Sequence, residues 1–196
     1  EALLIPTYTP LRTDEENVSK LPIFYGGIDV YLEQKVPLFR HAPRFLHSLL
    51  DSAPLMRWLG NRRAAVDPHK LGDLTVSVLE GEHGHQAVEL QRLVDWLETE
   101  IKPDVVHLSN AMLIGMAGAI RKRLNVPVVC GLSGEDIFLE ELLEPYYAQA
   151  KKLLRERAGD ADAFVSLNQY YADYMIDYMD LDRERVHVVP HGLKLQ

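Results

Sequence analysis

Ser133-Gly134-Glu135-Asp136 is the densest group of chemically useful side chains in the sequence. A hydroxyl, a permissive glycine and two carboxylates within four residues can hold sugar hydroxyls through bidentate hydrogen bonds. The same four residues would also serve a helix start, with Ser133 as cap and the acids favoured by the helix dipole. Gly26-Gly27, followed by the apolar-periodic Ile28-Asp29-Val30-Tyr31-Leu32, offers unhindered backbone N–H groups suited to a phosphate or a hydroxyl, or a plain turn into a helix. Ser109 and Asn110 follow the apolar run Asp104–Leu108 and add two more polar groups. Asn168 reads as a helix cap, Cys130 as a core thiol and His107 as a packed core histidine. His83-Gly84-His85 has no cysteine or carboxylate at ligand spacing, so no metal is expected. No P-loop, no Gly-x-Ser-x-Gly elbow and no Gly-x-Gly-x-x-Gly fingerprint occurs.

These residues are ordered by the elements around them. Ala2–Ile5 reads as a short buried strand that runs into the polar loop Thr7–Pro22. Strand-like runs follow at Leu74–Leu79, Asp104–Leu108, Val126–Leu132, Ala163–Leu167 and Val186–Val189. Between them lie helix-like segments at Gln86–Ile101, Ala111–Leu124, Pro145–Ala158 and Gln169–Met179. Gly115 and Gly118 would let the second of these helices sit close on a sheet. Strands alternating with helices of this length predict βαβ units in a doubly wound, mainly parallel α/β sandwich. In such sheets ligands bind beyond the carboxyl ends of the strands. That rule selects Ser109-Asn110, Ser133–Asp136, Asn168 and Pro190-His191-Gly192, with Gly26-Gly27 after the first strand.

The whole chain of 196 residues is expected to form one domain. Its composition is 47% hydrophobic and 26% charged, which suits a full core and excludes disorder and coiled coil. A single cysteine excludes a disulfide scaffold. With 21 basic and 29 acidic residues the net charge is −8, which argues against nucleic acid as a partner. No apolar run reaches the roughly 20 residues of a membrane span, and a cytoplasmic setting is expected. One stretch departs from the acidic balance. Residues 37–63 carry Arg40, Arg44, Arg57, Arg62 and Arg63 against Asp51, interleaved with apolar residues. Such a segment suits peripheral contact with an anionic membrane, although solvent-facing arginines on core-packed helices are the commoner case.

In order, these pieces resemble the N-terminal domain of family-4 retaining glycosyltransferases of the two-Rossmann-domain (GT-B) fold. The likeness is carried by Tyr25-Gly26-Gly27-Ile28, by Lys102-Pro103-Asp104-Val105-Val106-His107-Leu108, and by Val126-Pro127-Val128-Val129 followed by Gly134-Glu135-Asp136. Asp160-Ala161-Asp162-Ala163-Phe164-Val165 and Arg185-Val186-His187-Val188-Val189-Pro190-His191-Gly192 complete it. Ser133 stands where many members have histidine, Asn168 where serine is usual and His191 where asparagine is usual.

The resemblance implies transfer of a hexose from a nucleotide diphosphate sugar to the hydroxyl of a sugar or lipid acceptor, with retention. It implies no metal or other cofactor, the nucleotide sugar being a co-substrate. Gly26 and Gly27 would approach the donor phosphate or the acceptor. Ser133, Gly134, Glu135 and Asp136 would hold the acceptor, with Ser109 and Asn110 outside them. In that family a second domain binds the donor through two glutamates with seven residues between them, and no such pair occurs here. The chain is therefore expected to be the acceptor-side half, partnered by its own C-terminal domain and inactive alone. The alternatives are a non-hydrolysing sugar-nucleotide epimerase, with Glu135 or Asp136 as acid or base, and a non-catalytic sugar- or nucleotide-binding module.

Overall fold

A computed structural model describes residues 2–5 and 68–192. Gly26, Gly27, the Thr7–Pro22 loop and the basic segment 37–63 lie outside the described residues. Four strands form one parallel sheet in sequence order: β1 (Val106–Leu108), β2 (Val128–Leu132), β3 (Ala163–Ser166) and β4 (Val186–Val188). The register pairs Leu108 with Cys130, Leu132 with Ser166, and Ser166 with Val188, so β2, β3 and β4 end level while β1 stops short of the end of β2. The α/β class with a parallel sheet flanked by helices is the one the alternating pattern predicts.

The helices are α1 (Pro68–Glu80), α2 (Ala87–Trp96), α3 (Ala117–Leu124), α4 (Glu135–Glu140), α5 (Tyr146–Arg157) and α6 (Gln169–Met179). A 3-10 turn, Ala111–Met116, leads from β1 into α3, so the segment expected as one helix has two pitches. Chain reversal after α3 uses Asn125 in the left-handed region, at φ 54°, where a short polar side chain is tolerated. The core joins Leu79, Leu90 and Leu93 to Ile114, Ile120, Cys130, Phe164, Leu154 and Met175. Each such side chain, fully withdrawn from water, stabilises by about 1.5–3 kcal/mol.

Three expectations change. Leu74–Leu79 is helical, as the second half of α1. Its Thr-Val-Ser-Val alternation has the period of a strand, but the buried positions Gly72, Thr75, Val78 and Leu79 repeat at helical spacing. Pro68 opens the helix where a missing N–H costs nothing. Ala2–Ile5 forms no strand: residues 2–4 are exposed, and only Ile5 leans on the core. Gly115 does allow a close approach, but to the end of α1 and not to the sheet. A Cβ there would lie 2.3 Å from the Val78 carbonyl oxygen.

Candidate functional site

Three strand ends deliver the site. After β1, Ser109 is exposed and Asn110 is half-buried. Asn110 is extended and its Oδ1 accepts the Met112 N–H at 3.1 Å, which starts the 3-10 turn. After β2 the chain reaches Ser133 and Gly134, then enters α4 with two acids in its first turn. Gly134 is the cap residue, at φ 100°, a backbone that L side chains rarely adopt. Ser133 therefore does not cap the helix; it stands one position earlier and is exposed. After β3, Asn168 caps α6 as expected, accepting the Tyr171 N–H at 2.8 Å.

Glu135 is the hub. Its side chain is buried, at 5% exposure, and its oxygens are occupied from inside the protein. Oε1 accepts the Ala111 N–H at 2.8 Å, from the segment after β1. Oε2 accepts the Ser133 N–H at 2.8 Å and faces the Tyr171 hydroxyl at 3.0 Å. The Ser133 hydroxyl lies 3.5 Å from Oε1. Of about four acceptor sites on a carboxylate, the Ala111 and Ser133 groups engage most from within the protein.

Tyr171 completes the arrangement from α6. Its hydroxyl accepts the Gly134 N–H at 2.8 Å and donates to Asp136 Oδ1 at 2.7 Å. Its ring is stacked on that of Tyr174, with centroids 6.1 Å apart. Burial pushes the phenol pKa above its ordinary value, and the Asp136 hydrogen bond and the Glu135 charge push it the same way, while the Gly134 N–H opposes them. The phenol is thus held protonated as a donor. Behind it, Cys130 is fully buried, and burial followed by the Glu135 charge raises its thiol pKa.

The structure brings Ser109, Asn110, Ser133, Gly134, Glu135 and Asp136 to one edge. Glu135 links the β1 loop to the β2 loop, and the Ser109 carbonyl oxygen would be 2.5 Å from a Cβ on Gly131. A hollow of about 460 Å³ opens beside Ser109 and Asn110, walled by Leu4, Ile5, Leu74, Thr75 and Phe138 among others. His107 is exposed and not packed in the core, because the strand pleat turns it away from buried Leu108. His191 and Gly192 are exposed beyond β4.

Sequence reasoning passed over Tyr171. The signal was its place as third residue of a capped helix starting at the carboxyl edge, because helical side chains lean back towards the N-terminus. Among the described residues no helix is long and apolar enough to cross a membrane.

A family model described as Glycosyltransferase Family 4 matches residues 72–196. No curated protein and no solved structure matches the chain.

Proposed function

The chain belongs to glycosyltransferase family 4, and from that premise we propose that it is the acceptor-side half of an enzyme transferring a hexose from a nucleotide diphosphate sugar to an acceptor hydroxyl with retention. The observation that carries this reading is the row of polar groups gathered beyond the carboxyl ends of β1 and β2. Ser109, Asn110, Ser133 and Asp136 line it without a cation among them.

In this reading a sugar or lipid acceptor meets the exposed Ser133 hydroxyl and the half-buried Asp136 carboxylate, with Asn110 and Ser109 at its flank. Glu135 holds the loop and leaves the acceptor to its neighbours. Gly26 and Gly27 would approach the donor phosphate or the acceptor with their backbone, and no metal or other cofactor takes part. A second domain following this one binds the nucleotide and closes the cleft. Rate is then gained by holding two substrates in one geometry and by excluding water from the transfer. The basic segment 37–63 would bring the enzyme to an anionic bilayer if the acceptor is a lipid.

The test is nucleotide release by the full-length protein from UDP-, GDP- and ADP-hexoses with candidate acceptors, the 196-residue chain serving as control. Release by the full-length protein alone, with a glycoside of unchanged anomeric configuration, is expected. A free epimer as product would replace the reading with an epimerase. Binding without turnover would leave a sugar- or nucleotide-binding module.

A further inference from the structure

We infer that Tyr171 is a positioning residue of the acceptor site, setting through its hydroxyl the direction of the Asp136 carboxylate. The inference rests on the acceptor-side reading above and adds a residue from a different element, 35 positions along the chain from Asp136.

The two carboxylates of the loop are held by different means. Glu135 is fixed by backbone donors on both sides, Ala111 and Ser133, and stays fixed whatever Tyr171 does. Asp136 is half-buried in the first turn of α4, and among the described residues its hydrogen-bond partner is the Tyr171 hydroxyl. A phenol has one proton to donate. The shorter contact, 2.7 Å to Asp136 against 3.0 Å to Glu135, gives that proton to Asp136. The phenol oxygen at the same time accepts the Gly134 N–H. The relay therefore runs from the Gly134 amide through Tyr171 to Asp136, each bond polarising the next. Gly134 sits at a positive φ, so its N–H direction is fixed by the loop itself. The ring is fixed by the Asn168 cap on the Tyr171 amide and by stacking on Tyr174. Asp136 is the movable member, and Tyr171 removes that freedom before an acceptor arrives. Phenylalanine at 171 keeps the ring and the stack and deletes only the relay.

The experiment compares full-length wild type with Tyr171→Phe, Asp136→Asn and the double variant. Tyr171→Phe is expected to lower kcat/KM for the acceptor about ten-fold, the loss of one hydrogen bond to a charged group, with the donor KM within about two-fold of wild type. The double variant should be no worse than Asp136→Asn, because Tyr171 acts through Asp136. A second readout needs no turnover: the ¹³Cζ chemical shift of Tyr171, read by NMR at neutral pH, should move in Asp136→Asn as the phenol loses its charged acceptor. Additive losses, an equal loss towards the donor, or an unmoved Tyr171 shift would overturn the proposal. If wild type transfers nothing, the function reading fails, and the Tyr171 shift still decides whether Tyr171 and Asp136 are bonded.

Discussion

Replacing Glu135 with alanine separates a carboxylate that holds the protein together from one that holds a ligand. Two backbone N–H groups at 2.8 Å lose their acceptor. Ala111 is fully buried, so its N–H finds no water and costs about 1–3 kcal/mol as an orphan. Ser133 is exposed, its N–H can turn to solvent, and the loss there is about 0.5–1.5 kcal/mol. Relief from burying a charge offsets part of this, leaving a destabilisation of about 1–4 kcal/mol. At about 2–4 °C per kcal/mol for a chain of this length, the melting temperature should fall by roughly 2–16 °C. Glu135→Gln keeps an amide oxygen for Ala111 but offers no acceptor to Ser133, so about 1–2 kcal/mol is expected. Urea titration followed by circular dichroism measures both, and an unchanged m value certifies that stability alone has moved. If Glu135→Ala unfolds within about 0.5 kcal/mol of wild type, the buried network is not what Glu135 is for, and its expected place among the acceptor contacts returns.

Two further outcomes test the frame around the site. Gly115→Ala should destabilise by about 1–3 kcal/mol, because its Cβ would meet the Val78 and Leu79 carbonyl oxygens at 2.3 and 2.7 Å, while Gly159→Ala, with nothing within 4 Å, serves as the control in the same thermal melts; equal stability of the two would refute the close approach. Cys130 should resist an aromatic disulfide reagent in the native protein and react only as the protein unfolds, since burial both hides the thiol and disfavours its thiolate; rapid stoichiometric labelling without denaturant would contradict its place in β2.

What the sequence disclosed and withheld follows from the range of the interactions involved. The four strands of the sheet and α6 are local patterns: apolar runs such as Val128–Leu132, and an Asn168 cap before a helical period. The second half of α1 departs from its local pattern because Thr75, Val76, Ser77 and Val78 suit a strand by β-branching and alternation, and only contact with α5 and the Ala111–Met116 turn selects the helix. Gly72 shows the constraint: a Cβ there would strike the Tyr146 ring of α5 at 2.5 Å. The site was legible as a place, since strand ends mark it, but not as an assignment of roles. Whether Glu135 or Asp136 turns inward depends on Ala111, 24 residues away, and Tyr171, 36 residues away, and neither distance leaves a trace in a local motif.

The inward carboxylate also answers a difficulty that any such site must meet. In a parallel sheet the ladder hydrogen bonds end with the strands, so the loops beyond β1, β2 and β3 have no regular bonds to one another. A ligand spanning them would have to order three independent segments, each immobilised side chain costing about 0.5–1.5 kcal/mol. Glu135 ties the first loop to the second, and Tyr171 ties the second to the helix after the third. An apolar residue at 135 would escape the cost of a buried charge but would leave the Ala111 N–H without an acceptor and the two loops unlinked. The acid is therefore better understood as fixing geometry than as adding stability. On that ground Glu135 variants should weaken acceptor use by displacing Ser133 and Asp136, more than by removing a negative charge from the cleft.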